Sequence, residues 1–287
     1  MNALSQLGPE SKIVLPLIAL GLMLIEYLFH KVNHLDSHDA RETATSLFIA
    51  AGGKVIGFAT AGAVLIPAMI VYEHRLFDIP LGQNLLGQNS LGNAWTWLLL
   101  FVVVDFCYYV HHVAMHKVRW FWATHSVHHS PTRLNLSAAV RLGWGGHLTG
   151  GFIFYLPPIA LGFSPAAVFG MLGLSLFYQF FLHLARAPHL GPLEWVLNTP
   201  RHHQVHHAAN ESCLDRNFGG VLIVFDRLFG TFAEAPRHES LHYGLVHAVP
   251  SANPLRVLFG VWRDMLGRAL RAKGLRPRLR ALFGAPD

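Results

Sequence analysis

Four apolar runs set the frame of the chain. Ile13 to Phe29 is apolar for 17 residues except at Glu26, and Val55 to Tyr72 runs 18 residues without a charge. Ala94 to Val110 covers 17 residues with Asp105 as its one charge. Gly150 to Leu182 extends for 33 uncharged residues, broken by Pro157, Pro158 and Pro165. A helix needs about 20 residues to cross a bilayer, range about 17 to 25, so each of the first three runs predicts one spanning helix. The fourth predicts a helical hairpin that enters and returns. The first run has no small-residue cleavage site, so it reads as a span and not as a signal peptide.

Between the runs, Leu81 to Asn93 is rich in glycine, serine and asparagine and reads as an external loop. From Leu255 to Leu270, the apolar positions Leu255, Leu258, Phe259, Trp262, Leu266 and Leu270 recur at helical spacing, with Arg256, Arg263, Arg268 and Arg271 beside them. That pattern predicts an amphipathic helix with a basic face, suited to a membrane surface. The competing reading is a helix packed on the protein's own core.

Composition agrees with a membrane protein. Hydrophobic residues make up 52% of the 287, charged residues only 13%, and the mean hydropathy is +0.36. A soluble domain carries about 25% charged residues, so an ordinary cytosolic enzyme and a disordered chain are both excluded. The fold class expected is all-α, an integral membrane bundle with about four to five embedded helices and a helical cap. The net charge of +6 is concentrated between Arg263 and Asp287, where seven basic and two acidic residues stand. A basic tail beside an apolar chain points to anionic lipid headgroups and away from nucleic acid.

Loop charges orient the bundle. With the segment after Val110 inside, Lys31, Arg41, Lys54, Lys117, Arg119, Arg133, Arg141 and the basic C-terminal region are cytoplasmic, and only Lys12 and Arg75 lie outside. The positive-inside rule favours that arrangement. It places the N-terminus outside and the C-terminus inside.

Histidine carries the chemistry. There are 20, with six between His111 and His129 and four between His202 and His207. His112 and His116 are four apart and share one helix face. His125, His128 and His129 stand at i, i+3 and i+4, and His203, His206 and His207 repeat the arrangement 78 positions later. Ser130-Pro131 ends the helix of the second motif, since proline cannot continue it. Cys107 and Cys213 are too few for a thiolate metal site or a disulfide framework, so any metal here is held by imidazole.

Asp105 lies seven residues before His112 and eleven before His116, on nearly the same stripe. A carboxylate in an apolar segment is costly and functional by default. The expected role is to accept the free ring N–H of a ligand histidine; the bland alternative is a polar contact between helices. His30, His34, His38, His74, His147, His189, His238, His242 and His247 are isolated and read as loop residues. His111 and His202 fall out of phase with their motifs and read as spectators.

These segments resemble the fatty acid hydroxylase/sterol desaturase superfamily. The resemblance rests on Asp105 through His116, Trp122 through Ser130, Phe181-Leu-His183, Gly191-Pro-Leu-Glu194 and Asn198-Thr-Pro. It continues through His202 to His207, Asn217-Phe-Gly-Gly220 and Phe225 to Phe232, so it covers about residues 95 to 250. The pattern is most similar to the alkylglycerol monooxygenase-like branch. The resemblance implies a membrane-bound non-haem di-iron oxygenase that uses O₂ and two electrons to hydroxylate or desaturate a lipid C–H bond. The lipid would be fatty acyl, sterol or ether lipid. It implies His112, His116, His125, His128, His129, His183, His203, His206 and His207 as iron ligands, with His183 included on the resemblance alone. Residues 1–93 then form N-terminal spans with an external loop, 94–250 the catalytic region, and 251–287 the basic tail. The expected location is a bacterial inner membrane with the site on its cytoplasmic face. Val113, Lys117 and Ala187 depart from the family pattern and leave the substrate open.

Two other classes compete. A histidine-rich metal transporter needs polar ligands inside the spans, which hold only Glu26 and Asp105. A zinc hydrolase needs a motif such as HEXXH, which is absent, and eight or nine ligands exceed one zinc. No dinucleotide fingerprint and no fused haem or iron–sulfur motif is present, so the reading calls for a separate electron donor.

Overall fold

A computed structural model describes residues 11–79, 81, 90–247 and 250–286. The elements are α1 (Ser11–Val32), α2 (Ala40–Thr60), α3 (Gly62–Glu73), α4 (Ser90–Lys117), α5 (Arg119–His125) and α6 (Leu136–Ala139). They continue with α7 (Leu156–Leu161), α8 (Pro165–Leu182), α9 (Pro200–His207), α10 (Val224–Phe229), α11 (Pro254–Arg271) and α12 (Leu275–Phe283). The described residues contain no strand, only two isolated bridges, Leu197 with Leu222 and Ala208 with Tyr243. The fold is an all-α membrane bundle.

Among the described residues, Ala40–Thr60, Ala94–Lys117 and Pro165–Leu182 are long and apolar enough to cross a bilayer. α1 is 22 residues long and turns Leu17, Leu24, Ile25 and Leu28 outward. The second apolar run folds differently from the single span expected over Val55 to Tyr72. Asp39 caps an earlier helix start, accepting from the amides of Arg41 and Glu42 at 2.8 and 2.9 Å. The ladder then breaks at Ala61, where Gly62, a poor helix former, opens α3. The fourth run is the hairpin expected. A 3₁₀ turn, Gly151–Tyr155, leads into α7, and Gly162 reverses the chain at φ +126°. A side chain at Gly162 would collide with the Phe77 carbonyl. Ser164 then caps α8, with Pro165 at its first position.

The largest buried cluster joins α3, α4, α7 and α8 through Ala68, Leu100, Val104, Ile159, Phe163 and Val168. A smaller one, Ile49, Val127 and Leu258, fastens α2 and α11 to the segment after α5. Full burial of such side chains contributes about 1.5–3 kcal/mol each. Glu26 ties α1 to the cap. Its carboxylate accepts from the amides of Leu136 at 2.8 Å and Ala185 at 2.9 Å.

The C-terminal helix packs one face on the protein, as the competing reading expected, and leaves an apolar face exposed. Leu258, Met265 and Ala269 of α11 are buried against the protein, whereas Leu255, Phe259, Leu266 and Leu270 are exposed. Leu275, Leu279 and Phe283 of α12 are exposed as well. The loop expected at Leu81 to Asn93 falls mostly on 82–89, outside the described residues, and its last four residues open α4.

Candidate metal centre

Four elements bring nine histidines to one place. The end of α4 presents His112 and His116, and the end of α5 with the turn after it presents His125, His128 and His129. His183 caps the C-terminus of α8, and α9, opened by Pro200, carries His203, His206 and His207. The second motif is less helical than its spacing suggests: α5 stops at His125. The amides of His128 and Ser130 then bond the carbonyls of His125 and Val127 at 2.9 and 3.4 Å, and Ser130 Oγ also donates to Val127 at 2.6 Å. That turn carries His128 and His129 toward different neighbours.

The nine divide into two buried groups. One is His112, His116, His125, His129 and His206; the other is His128, His183, His203 and His207; in each, the ring nitrogens lie within 4.8 Å of one another. His125 Nε2 stands 3.1 Å from His112 Nε2 and 3.2 Å from His129 Nε2. In the second group, His183 Nε2 lies 3.1 Å from the Nε2 atoms of His128 and His203, and His207 Nε2 lies 3.1 Å from His203 Nε2.

Outer hydrogen bonds fix which nitrogen faces inward. His112 Nδ1 donates to the Phe218 carbonyl at 2.8 Å, His183 Nδ1 to the Gln179 carbonyl at 2.9 Å, and His206 Nδ1 to the Arg216 carbonyl at 2.8 Å. A carbonyl only accepts, so Nδ1 keeps the proton and a neutral ring turns a bare Nε2 lone pair inward. His116 and His206 have buried Nε2 atoms with no hydrogen-bond partner. Burial pushes His125, His128, His129, His203, His206 and His207 well below the ordinary histidine range, and His183 down to about 4. Neutral imidazoles with converging lone pairs are what a transition metal requires. Ring nitrogens about 2.1 Å from one cation and at right angles lie about 3.0 Å apart, which matches the spacing here. Five nitrogens and four exceed one tetrahedral ion. The donor set fits two.

Asp215 supports the first group. Its carboxylate lies 3.5 Å from His116 Nδ1 and accepts from Lys117 Nζ at 2.5 Å. Burial alone would raise this carboxyl; the hydrogen bonds with His116 and Lys117 overcome it and hold it at about 2. Nothing in the spacing pointed to Asp215. A local signal exists: Asp215 and Asn217 both adopt left-handed backbone, φ +57° and +56°, a conformation that Asp and Asn tolerate better than other side chains.

Asp105 is buried, but its place differs from the one expected. It accepts from the amides of Val221 and Leu222, both at 2.9 Å, and from Ser175 Oγ at 3.4 Å, not from a histidine ring. A side chain at Gly220 would bring its Cβ within 2.6 Å of Asp105 Oδ1, so glycine lets the loop close on the carboxylate. That loop carries the Phe218 carbonyl. Ser175 in turn accepts from Gln179 Nε2 at 3.1 Å, and the Gln179 carbonyl holds His183. Asp105 therefore stands behind both groups, one residue further out than the reading placed it.

His111 and His202 lie outside both groups. His111 stacks on Phe154 at 5.0 Å, and His202 meets Thr199 Oγ1 at 3.4 Å. His30, read as a loop residue, is buried in α1 and bonds Ser37 Oγ at 2.6 Å. A cavity of about 450 Å³ reaches His116, His129, His206 and His207 from outside, between Trp122, Val261 and Pro286.

Residues 97–231 match the fatty acid hydroxylase family model. The chain is 42% identical over 194 residues to an alkylglycerol monooxygenase of Homo sapiens, covering 66% of this chain and 40% of that one. The chain belongs to the fatty acid hydroxylase family. It lies on the alkylglycerol monooxygenase-like branch. An ornithine lipid hydroxylase of Rhizobium tropici is 28% identical over 197 residues, 66% of this chain and 59% of the relative. A cholesterol 25-hydroxylase-like protein of Danio rerio is 30% identical over 185 residues, 57% and 70% of the two chains. The chain spans less than half the length of the alkylglycerol monooxygenases it matches. No solved structure matches it significantly.

Proposed function

We propose that this family member is a di-iron oxygenase that hydroxylates a C–H bond of a membrane lipid, using O₂ and two electrons from a separate donor. The carrying observation is the pair of buried histidine groups whose Nδ1 atoms are tied outward, leaving Nε2 lone pairs to converge. His112, His116, His125, His129 and His206 would hold one iron, and His128, His183, His203 and His207 the other. A bound di-iron centre supplies the reduction of dioxygen.

The chain's own residues do the rest. Phe218, Gln179 and Arg216 keep the ring protons on Nδ1, so each inward nitrogen stays a donor to metal. Asp215 accepts from His116 and counters part of the positive charge. Burial of the nine rings limits the access of water, which would otherwise compete for a reactive oxidant. An acyl or alkyl chain reaches such a site along the apolar faces of the spanning helices without crossing water. The relatives, named for an alkylglycerol, an ornithine lipid and cholesterol, support a lipid and leave its headgroup open.

The loop charges support a site on the cytoplasmic side of its membrane. The exposed face of α11, with Arg256 and Arg263 beside Leu255, Phe259 and Leu266, supports contact with anionic headgroups. The test is metal analysis of the purified protein alongside lipid mass spectrometry of a deletion strain and its parent. Two irons per chain, and a lipid one oxygen atom lighter in the deletion strain, are expected. One zinc per chain, or unchanged lipids, would overturn the reading.

A further inference from the structure

Arg141, counted among the loop charges from the sequence, is the largest wholly buried side chain among the described residues. Its Nε, Nη1 and Nη2 atoms are all buried and have no hydrogen-bond partner. A guanidinium carries five N–H donors and does not deprotonate in a protein. Leaving that charge buried and unpaired is strongly unfavourable, whereas an apolar residue of similar volume there is often neutral or stabilising. A chain that keeps arginine in this place gains something other than stability.

The surroundings point the same way. Arg141 follows α6, which packs against α1, α2 and the end of α8 that carries His183. Its carbonyl lies beside the ring of His128, so the residue stands directly behind one histidine of the metal centre. Just beyond it, Gly143 lets the chain lie on α5, where a Cβ would come within 2.5 Å of the Thr124 carbonyl. Thr124 Oγ1 is a further buried polar atom without a partner in this same stretch. The opposite charge that acts on Arg141 is Glu42. Both Glu42 oxygens are already engaged by the Thr132 amide and hydroxyl, at 2.9 to 3.2 Å. Glu42 stands at the start of α2, and α2 and α8 are both long and apolar enough to cross a bilayer, so a lipid lying along them would carry its headgroup near their ends.

We propose that Arg141 is an oxyanion site that receives the phosphate or carboxylate of the lipid headgroup and so sets that lipid beside the metal centre. The planar fork of a guanidinium pairs with two oxygens of such a group at once. The inference rests on the oxygenase reading for the identity of the lipid as substrate, but not for the binding itself. Free inorganic phosphate offers the same chemistry, and the test separates the two.

The experiment uses the purified full chain in neutral detergent, with dodecyl phosphate and dodecanol as probes. Binding is read by thermal shift and calorimetry, with iron measured on the same samples. Dodecyl phosphate should bind about tenfold or more tightly than dodecanol, the effect of hydrogen bonds to a charged group. Arg141→Met should be as stable as the parent or more stable without probe, keep its iron, and bind the two probes alike. Inorganic phosphate alone should give no comparable shift. Equal binding of the two probes by the parent overturns the proposal without any variant. So does an Arg141→Met protein that still prefers dodecyl phosphate, or one that loses stability while the parent shows no preference. A shift from inorganic phosphate equal to that from dodecyl phosphate overturns the lipid assignment. A parent without iron that still prefers dodecyl phosphate would sink the oxygenase reading and leave this site standing.

Discussion

The group of His112, His116, His125, His129 and His206 and the group of His128, His183, His203 and His207 lie side by side, yet they are held differently. The first has a charged side chain among its supports, Asp215, itself paired with Lys117 on the surface. Three of its members also line the cavity that opens outward. The second is supported by the main chain around Gln179, and only His207 reaches that cavity. Proximity in sequence does not decide membership, since His128 and His129 are neighbours and fall in different groups. On the proposed di-iron reading, the open group would exchange with the outside and the enclosed group would hold its metal away from it.

The strongest way to break this comparison is to remove a ligand. Alanine at His128, His129, His206 or His207 should strip iron and lower turnover by more than about 100-fold, the upper end of what loss of a supporting residue alone does. Full iron in any one of these variants would end the two-group assignment. Asp215→Asn should act on the open group alone, weakening one iron by about 10- to 100-fold and leaving the other; loss of both would erase the distinction. Asp105→Asn would place an amide N–H against the Val221 and Leu222 amides. It should disturb both groups together, with iron affinity down about tenfold; a change confined to one would show that Asp105 is not shared.

Acid should sharpen the contrast in a metal-free sample. The buried rings have folded-state values below the ordinary one of about 6.5, with His183 at about 4. The native state therefore holds fewer protons, and stability is present above about 6.5 and lost as pH falls toward 4. Asp215, held at about 2, adds stability above about 4 that is lost only below it. Thermal unfolding should accordingly weaken in two separate windows; a flat profile between pH 7 and 5 would mean that water already reaches the rings. The smallest effect belongs to the tail. Arg119 donates to the Arg280, Ala281 and Ala285 carbonyls, and Ala285 and Pro286 wall the cavity. Removing residues 271–287 should leave iron unchanged and alter turnover by less than about tenfold, because no ligand lies there; loss of iron would make the tail part of the centre.

All nine histidines can be named from the sequence, eight because i, i+3 and i+4 spacings declare a shared face and His183 because the family pattern marks it. What the spacing cannot carry is the partition, since it depends on α8 and α9 closing over α4. Asp105 is conspicuous as a carboxylate in an apolar run, but its amide partners lie 116 and 117 residues away. The same holds for Glu26, which bonds Leu136 across 110 positions. Such pairings leave no local trace. The second apolar run misleads for a physical reason: its charged flank, from Arg41 to Lys54, is helical all the same because Asp39 caps it.

The carbonyls of Phe218, Gln179 and Arg216 have a consequence for how this protein tolerates change. A main-chain oxygen is present whatever side chain the residue bears. Those three positions can therefore drift over generations without withdrawing the acceptor from its histidine. Only a shift of the backbone itself could do that. Asp215 has no such protection, because its acceptor is the side chain. Of these four acceptors, three therefore outlast a change of side chain and the fourth does not.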